Sequence, residues 1–255
     1  MSALFEGQTV LVTGAAHGFG RATALAFAAR GANVVASDVL PDELAETARL
    51  GAGLPGSLRA EVLDVSAREA AQRHVAAAAE RHGRLDVLVN NAGGVLGQVG
   101  RPLEEVPEAD WHAIFGVNLD GAFFMSQAAA PHFKRAGRGR IVNIASGAGL
   151  GVSLTGIQAY AAAKAGLIGL TRQLAHELGP FGVTVNCIAP GFVRSNPTTE
   201  RQWQSYGEAG QRKLLESIAL RRLGSVEEIA NGVLFFAGEQ AGWVSGQVLS
   251  IDGGR

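Results

Sequence analysis

Tyr160 and Lys164, in the segment YAAAK, lie four residues apart and on a helix would share one face. The chain has only two tyrosines and three lysines, so the pair stands out. A free tyrosine ionises near pH 10, too high for a base near neutrality. Lowering that by two to three units takes roughly 3–4 kcal/mol of preference for the phenolate. A positive charge about 4 Å away provides around that much at an effective dielectric near 20. Lys164 could supply the charge, and Tyr160 could then move a proton onto or off a reacting oxygen. The plainer reading is a half-buried tyrosine beside a lysine whose stem lies along apolar surface.

A second stretch, TVLVTGAAHGFGRATALAFAARGANVVASD (9–38), places Gly14, Gly18 and Gly20 between an apolar strand and an Ala-rich helix. A glycine turn there lets the backbone approach a pyrophosphate, and the helix N-terminus offers free N–H groups with positive dipole. Asp38 ends the next strand, where a carboxylate accepts hydrogen bonds from a ribose diol. It would repel a 2′-phosphate, Val39 offers no charge, and His17 is the nearest weakly basic residue. The stretch therefore favours NAD over NADP. No Gly-Lys-Ser/Thr sequence occurs, which argues against a P-loop.

The elements that would position these groups follow a regular rhythm. Apolar runs at 9–13, 33–37, 58–64, 85–90, 140–145, 183–189 and 247–252 predict strands without polar alternation, buried on both faces. Helical stretches near 18–30, 41–50, 66–82, 108–136, 159–179 and 225–237 separate them. This pattern predicts an α/β fold, a doubly wound parallel sheet of about seven strands of the Rossmann type, three-layered and in a single domain over 1–255. The polar segment 192–223 breaks the rhythm and is placed to act as a substrate lid.

Composition narrows the function. Apolar residues make up 47% and charged residues 18% of 255, enough for a large core. A net charge of -1 gives no general attraction to nucleic acid or anionic membrane. The start MSALFEGQTV lacks the pattern of a secretory signal, and no apolar run is long enough to span a bilayer. The single Cys187 excludes an internal disulfide and fits a reducing, cytoplasmic compartment. The six histidines show no metal-ligand spacing, so they read as surface or capping residues and no metal is expected.

Taken in order, these stretches resemble the short-chain dehydrogenase/reductase family, in its single-domain branch, over essentially the whole chain. The resemblance rests on TGAAHGFG, NNAG (90–93), Asn118 in IFGVNLDGAFF, Ser146 in IVNIAS, YAAAK, Pro190-Gly191 and GQVLSIDGG. It implies an NAD-dependent oxidoreductase acting on a secondary alcohol or ketone. Ser146 would hydrogen-bond the reacting oxygen, Tyr160 would be the acid/base, and Lys164 would hold the nicotinamide ribose and lower the tyrosine pKa. Asn118 would position a water linked to Lys164. Cofactor contacts would come from Gly14, His17, Gly18, Phe19, Gly20, Asp38 and Val39. Asp64 and Val65 would flank the adenine, Asn91, Ala92 and Gly93 would line the cleft, and Pro190, Gly191, Val193 and Ser195 would approach the carboxamide. Ser146 and Tyr160 stand one residue further apart than is common in the family, which makes Ser153 a rival serine; the preceding strand favours Ser146. Ser195 replaces a frequent threonine and keeps its hydroxyl.

Substrate contacts are expected from Gly94 to Gln98, from Ser153 and Gln158 in the loop 147–158, and from the lid. There Trp203 and Tyr206 could cover the nicotinamide end or simply pack the lid down. Arg194 and Arg201 could recognise an anion, or could be solvated charge paired in part with Glu200 and Glu208. The many polar lid residues favour a small polar substrate such as a polyol, sugar derivative or hydroxy acid. A β-ketoacyl carrier-protein reductase is the alternative enzyme, and a non-catalytic nucleotide sensor or scaffold the alternative of another class. The resemblance also implies a homotetramer, or at least a dimer, through helices near 108–136 and 159–179 and through the final strand with helix 225–237.

Overall fold

The computed structural model describes residues 4–255, so the first three residues of the amino-terminal stretch lie outside it. Among the described residues, seven parallel strands form one sheet. They are β1 (Thr9–Thr13), β2 (Asn33–Asp38), β3 (Ser57–Val62), β4 (Val87–Asn90), β5 (Gly139–Ile144), β6 (Val183–Pro190) and β7 (Val248–Ile251), in the order β3-β2-β1-β4-β5-β6-β7. The order reverses between β1 and β4, and in open sheets of this kind ligands sit in the crevice at that point.

Side chains of β1 alternate between two cores. Val10 and Val12 pack with Phe27, Val34 and Val233 on one face. Leu11 packs with Val35, Met125, Phe133 and Ile141 on the other. Helices α1 (Gly18–Ala28) and α2 (Pro41–Gly51) follow the first two strands, and α3 (Arg68–His82) follows β3. The stretch predicted as one helix over 108–136 consists of α4 (Glu108–Phe115), a π-helical segment Gly116–Asp120 and α5 (Gly121–Ala136). The long α6 (Gln158–Leu178) precedes β6, and α9 (Val226–Ala237) precedes β7. Between them, 192–223 folds into two helices, α7 (Pro197–Ser205) and α8 (Gly207–Ser217). Asn196 starts α7 with a capping box: its side chain accepts from Thr199 N while Thr199 Oγ1 accepts from Asn196 N.

Two expectations need correction. β3 and β7 are not buried on both faces, because they are the two edge strands of the sheet; Leu249 on β7 is exposed, and Arg59 and Glu61 pair on β3 at 2.7 Å. Charge on an edge also discourages pairing with another sheet. His74 is buried rather than superficial, with Nδ1 3.3 Å from Glu61, and burial holds its imidazole below the ordinary range.

Beneath the crevice a buried polar network joins sheet to helices. Asn90 Nδ2 donates to Asn143 Oδ1 at 2.8 Å and to Ser126 Oγ at 3.0 Å. Asn143 Nδ2 donates to Thr171 Oγ1 at 2.9 Å. These bonds tie β4 and β5 to α5 and to α6, which carries Tyr160. Asn143→Ala removes two buried hydrogen bonds, while Asn90 Nδ2 keeps Ser126 and Thr171 Oγ1 keeps the Leu167 carbonyl, so urea unfolding should show a loss of roughly 1–3 kcal/mol. A loss well under about 1 kcal/mol would mean the network is not what holds these layers together.

Candidate active site

Ser146, Tyr160, Lys164 and Asn118 converge at the carboxyl ends of β4 and β5. Ser146 follows β5, and its hydroxyl is close enough to the Tyr160 phenol to favour its ionised form. The same Oγ accepts from Ala148 N at 3.1 Å, which orders the 3-10 turn Gly147–Gly149. That turn lies directly on α6: a Cβ at Gly149 would sit 2.7 Å from the Lys164 carbonyl carbon. Gly149 is thus a positioning residue that sequence reasoning missed, although the glycine run after Ser146 was its signal. Ser153, the rival serine, is engaged elsewhere, sharing a hydrogen bond with Thr155 Oγ1 at 2.8 Å.

Lys164 is buried, and its Nζ donates to the carbonyl of Ile144 at 2.8 Å. It lies 5.8 Å from the centroid of the Tyr160 ring. Lys164, with the positive ring of an oxidised nicotinamide adding to it, is expected to lower the tyrosine pKa; around the protein groups alone the shift runs the other way. Burial pushes the Tyr160 phenol above its ordinary value, with the nearby Ser146 hydroxyl pulling the other way. Burial also draws the lysine down to about 8. Among the described residues this ammonium has no carboxylate partner and donates to a backbone carbonyl, with the tyrosine ring alongside.

Asn118 sits in the π-helical segment and is buried. Its Nδ2 donates to the carbonyls of Ile114 (2.9 Å) and Gly94 (2.8 Å), and its Oδ1 accepts from Gly94 N at 2.9 Å. A Cβ at Gly93 would lie 2.6 Å from Asn118 Oδ1 and 3.1 Å from Lys164 Nζ, so both groups border the space that this glycine leaves open.

The glycine turn enters the same crevice, and each glycine has its own reason. Gly14 (φ +66°) passes so close to Ala92 that a Cβ would meet its Cα at 2.7 Å. Gly18 (φ +56°) faces the Ser195 carbonyl, 2.8 Å from a Cβ. At Gly20 a Cβ would overlap the Gly14 carbonyl at 2.0 Å. Asn91 Nδ2 pins the turn by donating to the carbonyls of Thr13 and Gly14, both at 2.9 Å, while Thr13 Oγ1 accepts from Ala92 N at 3.0 Å. Gly18, Phe19 and Gly20 open α1, and helix geometry leaves such N–H groups without an internal partner. The first turn holds no acid, and His17 makes no side-chain cap. Phe19 packs against the core.

Asp38 Oδ2 accepts from Ala16 N at 3.0 Å, and Oδ1 from Val39 N at 2.7 Å and Leu40 N at 3.2 Å. It therefore braces the turn and keeps acceptor capacity to spare, since a carboxylate offers about four lone-pair sites. Arg21 is a closer cation than the sequence suggested: it donates to the carbonyls of Ala16 and Glu43 and to Thr47 Oγ1. Asp64 Oδ1 accepts from Ser66 N and Oγ, while the Val65 side chain is buried against Gly121, which leaves only its backbone for an adenine. Pro190 ends β6, Gly191 N donates to Ile251 O at 2.9 Å, Val193 is buried, and Ser195 N donates to Thr199 Oγ1 at 2.9 Å. An open helix N-terminus, an acid at the next strand end and glycines where side chains would collide together fit a dinucleotide.

The expected substrate residues are mostly engaged with protein. Gln98 Nε2 donates to Asp110 O (3.0 Å) and Gln158 Nε2 to Arg101 O (2.9 Å). Arg194 forms a two-point ion pair with Glu200, at 2.6 and 3.0 Å, and Arg201 donates to Thr198 Oγ1. The anion reading of these arginines therefore loses its geometric basis for Arg194. Trp203 and Tyr206 pack on Phe192, a residue not anticipated, with ring centroids 6.1 and 5.8 Å away.

Lys164 also makes a testable contribution to stability. Its proton is held less tightly in the fold, at about 8, than in the unfolded chain, near 10.4. Between those values the unfolded state binds more protons, so the penalty from this residue is full below about pH 8 and fades as pH rises. The stability of the native protein relative to Lys164→Met should thus increase by roughly 2 kcal/mol between pH 7 and 9.5. A pH-independent difference in urea unfolding would show that the ammonium is not destabilised by burial.

Among the described residues no helix is long and apolar enough to cross a membrane. The family described as enoyl-(acyl carrier protein) reductase matches residues 14–255. The chain is 40% identical to the 3-oxoacyl-(acyl-carrier-protein) reductase FabG of Thermotoga maritima, over 98% of each chain. It is also 40% identical to the trans-4-hydroxycyclohexanecarboxylate dehydrogenase of Sinomonas cyclohexanicum, covering 97% of this chain and 92% of that one. A solved structure of NAD+-bound xylitol dehydrogenase superposes with a TM-score of 0.91 at 30% identity, over 98% of this chain and 99% of the other. Fold, site geometry and whole-length likeness agree, and the chain belongs to the short-chain dehydrogenase/reductase family of nicotinamide-dependent oxidoreductases.

Proposed function

We propose that the protein is an NAD-dependent dehydrogenase/reductase that interconverts a secondary alcohol and its ketone on a small substrate. One observation carries the reading: the Ser146–Tyr160 hydroxyl pair, backed by a buried ammonium, stands in the crevice that the glycine turn and α1 open. The nicotinamide, when bound, supplies the two-electron acceptor or donor. Gly14, Gly18–Gly20, Asn91–Gly93 and the Pro190–Ser195 segment would hold it, with Asp38 on the adenosine ribose and Asp64 near the adenine. Ser146 orients the substrate oxygen, and Tyr160 takes its proton in oxidation or returns it in reduction. Lys164 acts from behind the tyrosine, and Asn118 positions the Gly94 peptide beside it.

Raised by burial, the Tyr160 phenol stays protonated near neutral pH, which is the form that ketone reduction requires. Oxidation needs an added positive charge close to the phenol oxygen, which an oxidised nicotinamide provides. Asp38 supports NAD, since a 2′-phosphate would meet its carboxylate. The second reading, a carrier-bound 3-oxoacyl reductase, draws on the Thermotoga relative and on Arg21 near the turn, but the Arg21 donors are already engaged.

The relatives named above act on a carrier-bound ketone, a ring alcohol and a sugar alcohol, so their names do not choose a substrate. The polar lid was the argument for a polyol, sugar derivative or hydroxy acid. Much of that polarity is turned inward: Arg194 to Glu200, Gln202 to Tyr206, and Gln211 to the Trp203 carbonyl. Exposed Phe123 on α5, with Phe235, Leu249 and Trp243 around α9 and β7, supports a homotetramer. A cytoplasmic setting suits the single free thiol of Cys187.

The test is alcohol oxidation assayed with NAD and NADP in parallel. Tyr160→Phe should lose about a thousandfold in kcat with NADH binding intact, and Asp38→Ala should shift preference toward NADP. Unimpaired turnover in Tyr160→Phe would remove the tyrosine from the chemistry, and a native preference for NADP would overturn the role of Asp38.

A further inference from the structure

α3 turns Ala71, Val75, Ala78 and Ala79 into the core that also holds Leu63 and Val65, and His74 is buried on the same helix, only 7% exposed. Its Nδ1 lies 3.3 Å from Glu61 Oε2 on β3. Its Nε2 is buried with no hydrogen-bond partner. The other Glu61 oxygen, Oε1, accepts from Arg59 Nε and from Arg81 Nη1, each at 2.7 Å. One carboxylate therefore already holds two guanidinium groups, and the apolar neighbours on α3 give no packing reason for an imidazole at 74.

A neutral imidazole fits this place with its hydrogen on Nδ1, toward Glu61, and a lone pair on Nε2. A second proton creates an N–H that has no acceptor and no water, which is costly. It also sets a third positive charge beside Arg59 and Arg81. Burial, with Arg81 adding to it, outweighs the pull of Glu61 and holds the imidazole below its ordinary range. Burial also works to raise the Glu61 carboxyl, but Arg59 and Arg81 keep it below the ordinary carboxylate range, so it stays ionised in weak acid. α5 and β1, which pack on α3 as well, add no charged group bearing on the imidazole among the described residues.

The pair closes the segment that would carry the adenine. Among the described residues, both polar side-chain links from β3 to α3 end on Glu61. β3 is an edge strand, held to the sheet by β2 alone. Asp64 and Val65 lie on the chain between Glu61 and His74, and Leu63 N donates to the Asp38 carbonyl at 2.9 Å. Displacing Glu61 would thus be felt at Asp38 and Asp64, the two acids assigned to the adenosine half of the cofactor.

We propose that the Glu61–His74 pair is an acid-sensitive tether: protonation of His74 releases β3 from α3 and lowers the affinity for the nicotinamide dinucleotide. The inference rests on the cofactor reading above and adds a regulation to it. An edge strand and its helix can open at less cost than the whole fold, so the site responds before the protein unfolds. The opened state takes up a proton near pH 6.5 and the closed state only at lower pH, so closure weakens as pH falls through that range.

The experiment titrates NADH by fluorescence at pH 7.5 and 5.5 and follows urea unfolding of the same samples. It compares the native protein with His74→Asn, which keeps a donor toward Glu61, and with His74→Leu, which removes the buried polar atoms. Between the two pH values the native dissociation constant should rise roughly two- to tenfold more than in either variant, about tenfold being the limit for an ordinary value near 6.5. The native folding constant should fall by a similar factor relative to the variants. An equal pH dependence in all three proteins, or a tighter native complex in acid, would overturn the inference and leave the cofactor reading intact. A difference in stability with none in NADH affinity would mean that His74 titrates without reaching the cofactor site, and would overturn it as well. Absence of NADH binding to the folded native protein at both pH values would instead remove the cofactor reading and the inference with it.

Discussion

A buried ammonium has to find an acceptor, and in this protein the Ile144 carbonyl accepts from Lys164. Much of the site's architecture serves that one contact. β5 must end where its last carbonyl faces α6, and α6 must approach closely enough for the lysine to reach it. The approach is possible because Gly149 lets the turn after Ser146 lie on the α6 backbone. It is held by the Asn90–Asn143–Thr171 chain, which locks β4 and β5 to α6 beneath the reacting groups. Charge, tyrosine and serine then occupy fixed positions before any substrate arrives, which is how a site lowers reorganisation during proton transfer.

The cofactor half of the crevice depends on close backbone approach. Side chains are excluded at Gly14, Gly18 and Gly20 by three different neighbours: Ala92, the Ser195 carbonyl and the Gly14 carbonyl. Asn91, Thr13 and Asp38 brace the turn from strands on either side of β1 and from β1 itself. The segment after β6 reaches it through Ser195, whose carbonyl faces Gly18 and whose N–H donates to Thr199 Oγ1 on α7.

Local signals in the chain were strong where function depends on residues close in sequence. Apolar runs announced all seven strands, and the four-residue spacing of Tyr160 and Lys164 announced a phenol and an ammonium on one helix face. The backbone acceptor of Lys164 was illegible, because a carbonyl is present at every position and carries no residue signature. The Asn90–Asn143–Thr171 network joins three distant segments, and each asparagine read alone looks like an ordinary strand-end residue. β3 and β7 were misjudged as buried because sheet position, which decides whether one face meets water, is not encoded in the strand itself. The lid's polarity suggested a polar ligand, whereas Arg194–Glu200 and Gln202–Tyr206 satisfy one another across a helical turn or two.

The central claim is that the fold keeps Tyr160 protonated until a cofactor's positive charge joins Lys164. Tyr206→Phe leaves Tyr160 as the only tyrosine, so ultraviolet difference titration of that variant reads one phenol directly. The account predicts an apparent pKa above the ordinary value near 10 in the free protein and a clear drop when NAD+ is added. A phenol that already titrates near neutrality in the free protein, or one that NAD+ does not move, would contradict it.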